Sequence, residues 1–239
     1  VPFHGRNHVL FGTSCRDIKL WDTKAQCFSA EFQSRPDTPM VTCVQHARQA
    51  ANLVAITSIS SDVVMNHEAP APSRSSSWAC LVELWDLEEG RSVRDIVSTF
   101  APESPTMAQC FTPRGNMLYT GSSDGFIRVY DLKWPQAEVM KWKAHDETSV
   151  ANLIYKGHDQ TKTNSKMLSN EVHGNVLVSI GASDNNIFEW DLRKISEPKI
   201  NRRYVGPTCK MMPHPSAHRI DGVFDPSGNF LLTAAGTSR

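Results

Sequence analysis

A short strand that ends on an aromatic residue and an aspartate recurs four times along this chain. The clearest copy, with its turn, is Gly121-Ser122-Ser123-Asp124-Gly125-Phe126-Ile127-Arg128-Val129-Tyr130-Asp131. Ser-Asp-Gly supplies the turn, because Asp bonds its own backbone and Gly tolerates a positive φ. Ile127 and Val129 alternate with Arg128, the two-residue period of a strand with two unlike faces. Ile18-Lys19-Leu20-Trp21-Asp22, Val82-Glu83-Leu84-Trp85-Asp86 and Ile187-Phe188-Glu189-Trp190-Asp191 repeat the ending. The aromatic positions 21, 85, 130 and 190 are separated by 64, 45 and 60 residues. A repeat of about 40–45 residues fits the middle interval, and the outer two then carry roughly 15–20 surplus residues each as loop insertions.

Composition excludes several classes. The 239 residues hold 25 basic and 25 acidic side chains, so no charge excess points to nucleic acid. No apolar run is long enough to span a bilayer, and no signal peptide opens the chain. Six scattered cysteines (Cys15, Cys27, Cys43, Cys80, Cys110, Cys209) form no Cys-x-x-Cys pair, a pattern of reduced thiols in a cytosolic protein. The chain opens on Val rather than Met, which leads us to expect a piece of a longer protein.

Strands ending in Trp-Asp at this spacing resemble the WD40-repeat propeller family. The resemblance implies an all-β chain of about four blades plus a half-blade, expected to be a fragment of a seven-bladed ring. The blades are read as 1–40, 41–105, 106–147, 148–216 and the incomplete 217–239, where Asp225-Pro226-Ser227-Gly228-Asn229 repeats the turn chemistry of residues 112–116. The insertions fall at 60–78 and 156–173. The first is rich in Pro and Ser, with Ser75, Ser76 and Ser77 beside Arg74 as phosphorylation candidates. A tolerated surface insertion is the simpler reading.

The same resemblance implies a structural tetrad of His145, Ser179, Asp184 and Trp190, joined in one hydrogen-bonded chain inside the fourth blade. Ser179 precedes Asp184 by one residue more than Thr120 precedes Asp124, which a one-residue bulge would absorb. Glu189 breaks the blade pattern, since Leu20, Leu84 and Val129 hold its inward place. Phe188 takes the outward place of Lys19, Glu83 and Arg128. Either the register shifts, or Phe188 and Glu189 mark a partner-binding edge. Trp190-Asp191-Leu192-Arg193 resembles the ending of cullin-4 ubiquitin-ligase substrate receptors, which makes Arg193 a third candidate partner-binding residue.

Other constellations fail on context. Gly121-x-Ser123-x-Gly125 has the spacing of a nucleophile elbow, but a strand follows it where that motif needs a helix. His214-x-x-x-His218 lacks the paired cysteines of a zinc finger. No catalytic, cofactor-binding or metal-binding residue is assigned.

The order of features narrows the resemblance. The Pro/Ser insertion, Trp142-Lys143-Ala144-His145, Ser179-Ile180-Gly181 and Phe224-Asp225-Pro226-Ser227-Gly228-Asn229-Phe230 together are similar to the C-terminal propeller of a family of endosomal WD-repeat proteins. That resemblance implies a non-enzymatic scaffold in early-to-late endosome maturation. It implies a WD-repeat partner, negative regulation of a phosphatidylinositol 3-kinase complex, and binding to a late-endosomal Rab GTPase. It also implies a cytoplasmic protein held peripherally on early and late endosome membranes through its partners, with no nucleic acid. The alternative is a cullin-4 substrate receptor.

Overall fold

The computed structural model describes residues 7–13, 17–33, 40–47, 52–59, 80–97, 104–112, 114–134, 138–146, 148–156, 176–184, 186–193, 198–205, 220–224 and 231–235. The insertion at 60–78, all but Lys156 of the one at 156–173, and His214 and His218 lie outside them. Every regular element described is a β-strand, in antiparallel sheets whose neighbours follow chain order. This is the architecture of a WD40 propeller fragment of about four blades. The chain forms two compact units, Val1–Gly115 and Asn116–Arg239.

In the first unit, β1 (His8–Gly12), β2 (Asp17–Asp22) and β3 (Cys27–Gln33) make a three-stranded sheet. β4 (Met40–His46), β5 (Leu53–Ile59), β6 (Cys80–Asp86) and β7 (Arg91–Val97) make a four-stranded one. Leu10 and Ile18 of the first sheet pack on Val41, Val54, Ile56 and Trp85 of the second. Face-to-face burial of this kind is what an isolated sheet lacks and a repeat array supplies. β8 (Thr106–Phe111) lies against β4 and β5. There the buried Gln109 donates to the Ala55 carbonyl at 2.7 Å and accepts from the Thr57 hydroxyl at 3.0 Å.

The second unit contains β9 (Met117–Ser122), β10 (Phe126–Asp131) and β11 (Glu138–Lys143). It also contains the sheet of β12 (Val150–Lys156), β13 (Val176–Gly181), β14 (Asn186–Asp191) and β15 (Lys199–Val205). β16 (Ile220–Phe224) and β17 (Leu231–Ala235) form a hairpin.

Two local devices recur. The aspartate after each aromatic closes the following turn with its own side chain. Asp22 Oδ1 accepts from Lys24 N, Asp86 Oδ1 from Glu88 N, Asp131 Oδ1 from Lys133 N and Asp191 Oδ1 from Arg193 N, at 2.7–3.0 Å. In the first two turns, the fourth residue after the aspartate is left-handed: Gln26 (φ 54) and Gly90 (φ 63). The second device is a bulge just before the aromatic, where Leu20/Trp21, Leu84/Trp85, Val129/Tyr130 and Glu189/Trp190 each face one extra residue on the outer strand. The extra residues are Ser29, Val93, Val139 and Asn201. Each bulge strengthens the twist of its outer hairpin.

Two expectations from the sequence are corrected. Glu83 and Arg128 do not face solvent: Glu83 is 0% and Arg128 4% exposed. In the first unit both faces of the β4–β7 sheet contribute to the core, so the odd positions of β6 are as buried as the even ones. Arg128 meets Asp124 Oδ2 at 2.9 Å and Glu138 Oε2 at 3.7 Å, and donates to Ser122 Oγ. The second correction concerns the extra residue before Asp184. The β13–β14 ladder runs from Val176↔Asp191 to Ile180↔Ile187 without a shift. The extra residue sits in the turn, which has four residues between Gly181 and Asn186 where the β9–β10 turn has three between Ser122 and Phe126.

Gly125 holds the approach to the buried His145. Its carbonyl accepts from Ala144 N at 2.9 Å and His145 N at 3.1 Å. Its φ is +78°, and a Cβ there would stand 2.0 Å from the His145 carbonyl oxygen and 2.7 Å from that of Thr148. Gly125→Ala is therefore expected to destabilise the second unit by about 2 kcal/mol or more, since strain and collision add. Gly90→Ala, whose Cβ would meet only the Phe32 ring at 3.0 Å, should cost less. Chemical denaturation of the two variants checks the order.

Candidate functional site

β13 and β14 bring four polar groups of unlike chemistry together. Leu177 pairs with Trp190, which puts Ser179, two residues on, on the same face of the sheet as the indole. Trp190 Nε1 donates to Ser179 Oγ at 2.9 Å. Ser179 Oγ lies 3.0 Å from His145 Nε2, and His145 Nδ1 lies 2.8 Å from Asp184 Oδ2. With the proton on Nδ1, the carboxylate accepts from the ring, the other ring nitrogen accepts from the hydroxyl, and the hydroxyl accepts from the indole. Every group is then satisfied. Asp184 Oδ1 also accepts from Asn186 N at 3.0 Å, which fixes the carboxylate to the start of β14. Gly181 gives this contact its room, because a Cβ there would fall 1.9 Å from Asp184 Oδ1 and 2.6 Å from His145 Nδ1.

Ser, His and Asp at these separations have the outline of a hydrolase triad. Burial decides what the arrangement can do. Ser179 is 0% and His145 1% exposed, and the Ser179 oxygen already accepts from the indole. The hydroxyl meets no solute here. What the chain of bonds does is hold the register of β13 on β14 and anchor the segment after β11 to them.

Trp85 holds the same place in its sheet as Trp190, opposite Val54, but Ile56 stands where Ser179 would be. Trp85 Nε1 is buried with no hydrogen-bond partner among the described residues, and the ring is held by packing with Phe32, 6.1 Å between centroids. Tyr130 fills the place in β10, with Thr120 matching Ser179.

Glu189 is buried, and its carboxylate accepts from Asn201 Nδ2 at 2.7 Å and lies 3.5 Å from the Tyr204 hydroxyl. Asn201 is the bulged residue of β15, so the bulge delivers the amide to the acid. Phe188 is half-buried against His145 at 5.0 Å and Trp190 at 5.8 Å, with the Arg203 guanidinium 5.7 Å from its centroid. Arg193 is 62% exposed and its guanidinium is turned back on Asp191, with Nε 2.9 and 2.8 Å from the two carboxylate oxygens. These bonds hold Asp191 below the usual carboxylate range and raise the Arg193 guanidinium. The structure thus gathers the four tetrad residues with Phe188, sets Glu189 against β15, and leaves Arg193 at the turn. Sequence reasoning missed Asn201, Tyr204 and Arg203, for which the only signal is the run Lys-Ile-Asn-Arg-Arg-Tyr-Val.

Two expected outcomes follow from the geometry. Trp190→Phe removes the donor to Ser179 and should lower stability by about 1–2 kcal/mol beyond the cost of Trp85→Phe, whose N–H meets no acceptor among the described residues. Paired urea titrations measure that difference. The second outcome is acid sensitivity. Burial acts to raise the Asp184 carboxyl, but hydrogen bonds from His145 and Asn186 together hold it below its ordinary value. Asp124 behaves likewise: burial raises it, and Arg128, Ser122 and Phe126 lower it further. A carboxyl depressed in the folded state contributes stability that is present above its unfolded value and lost as pH falls through the folded one. Denaturant midpoints should therefore decline from about pH 4 downward. Asp184→Asn should flatten part of that decline.

No family model matches the chain. Curated relatives do. WD repeat-containing protein 91 of Gallus gallus is 25% identical over 246 residues, that of Bos taurus 26% over 247 and that of Danio rerio 25% over 243. Each alignment covers 96% of this chain and 30% of the relative. The chain therefore spans less than a third of the length of the curated relatives it matches. It is an array of WD40-type blades that resembles WD repeat-containing protein 91 along nearly its whole length.

Proposed function

We propose that this chain is a non-enzymatic protein-interaction scaffold acting in early-to-late endosome maturation. The single observation that carries the reading is the likeness to WD repeat-containing protein 91 across 96% of the chain. WD-repeat proteins serve as platforms for other proteins, and the sealed tetrad fits a frame rather than a reaction centre. On this reading the partners are a WD-repeat protein, a phosphatidylinositol 3-kinase complex that it restrains, and a late-endosomal Rab GTPase. The protein is cytoplasmic and reaches early and late endosome membranes through them.

Arg193 gives the test. A substrate receptor of a cullin-4 ligase needs this guanidinium for its adaptor, yet here the fork is occupied by Asp191. Proximity labelling with the full-length protein is expected to enrich endosomal proteins. Arg193→Ala should leave that profile unchanged and alter stability by no more than about 0.5 kcal/mol. Enrichment of the ligase adaptor, lost in Arg193→Ala, would overturn the proposal.

A further inference from the structure

β15 differs from the outer strands of the other sheets. All seven of its residues are exposed. It carries Lys199, Arg202 and Arg203 and no acid, whereas β3 carries Glu31 alone, β7 sets Asp95 beside Arg91 and Arg94, and β11 sets Glu138 beside Lys141 and Lys143. Charge on an edge strand is a common guard against unwanted pairing, and a guard avoids exposed apolar side chains. β15 exposes three, Ile200, Tyr204 and Val205, where β3, β7 and β11 expose Phe28, Val93 and Val139, one each among the described residues.

Arg203 shows what the strand is built to hold. Three other guanidinium groups meet acids: Arg91 meets Glu89, Arg128 meets Asp124 and Arg193 meets Asp191. Arg203 instead donates Nε and Nη2 to the neutral Asn186 Oδ1, at 3.0 and 2.9 Å, and lies over the Phe188 ring. It meets no carboxylate among the described residues. The guanidinium is oriented on a rigid strand while its full charge stays available, the condition for charge-assisted recognition of an anion. Lys199 opens the same strand, and Glu189 with Asn201 and Tyr204 fixes the bulge between Lys199 and Arg203.

We infer that the outer edge of β15 docks an acidic, extended segment of a partner protein. The segment adds as a strand beside β15, the last strand of its sheet. Lys199 and Arg203 project from opposite faces of the sheet, so the segment carries carboxylates on both of its faces and sets its apolar residues against Ile200, Tyr204 and Val205. A protein segment fits better than an anionic lipid surface, because the cations and the exposed apolar side chains are divided between the two faces of one strand. This inference rests on the scaffold reading and names the chemistry of one partner.

Fluorescence polarisation of the 239-residue chain with a labelled Glu-Glu-Val-Val repeat peptide, which sets Glu on both faces of an extended strand, tests it. The peptide should bind, more weakly as salt rises. Arg203→Gln should reduce affinity about ten-fold, the loss of one charge-assisted contact. Lys199→Gln with Arg203→Gln should abolish binding, while Arg91→Gln leaves it unchanged. Circular dichroism melts show whether each variant is folded. No binding, equal binding by the double variant, or binding to phosphatidylserine vesicles without binding to the peptide would overturn the inference. If proximity labelling still enriches endosomal proteins with the double variant, the scaffold reading stands and the β15 inference fails.

Discussion

A buried imidazole needs partners at both ring nitrogens, and the order of the β12–β15 sheet follows from how His145 finds them. Ser179 on β13 supplies one and Asp184 in the turn supplies the other. Both sit within one hairpin, so a slip of one residue would break the pair at once. The histidine itself belongs to the segment that leaves β11, where Gly125 holds its backbone. One side chain thereby ties the end of one sheet to the interior of the next. A polar tie of this sort discriminates between registers that apolar packing alone would tolerate.

The two buried tryptophans show alternative answers to one structural demand. Trp190 sits in a polar chain with Ser179, while Trp85 sits among Leu10, Ile18 and Ile56. An indole can be placed by its N–H or by the shape around its ring. The second route leaves the Trp85 donor without an acceptor among the described residues. Gln109 and Thr57 supply polar ties in that part of the chain by another pairing.

Much of the repeat was legible because its signals are local. Alternation in Ile127–Val129 and the turn chemistry of Ser123–Gly125 each act within a few residues. The tetrad residues could be named through the resemblance to WD40 blades, though their mutual distances could not. The burial of Glu83 and Arg128 was not legible, because it depends on what covers the second face of a sheet, which alternation does not encode. The recurrent bulge was hidden for a similar reason. Ser29, Val93, Val139 and Asn201 share no side-chain chemistry, and only the pairing of two strands reveals them. Glu189 looked like a break in pattern until the bulge at Asn201 supplied its partner.

The aspartate after each aromatic strand has a consequence for how such a chain can diversify. Its carboxylate closes the turn by accepting from the backbone, whatever side chains follow. Thr-Lys-Ala, Leu-Glu-Glu, Leu-Lys-Trp and Leu-Arg all stand after the same acceptor. The scaffold is thus insulated from the chemistry displayed on its turns. Charge and aromatic surface can be exchanged there with little effect on folding, so a new surface can arise without a new fold.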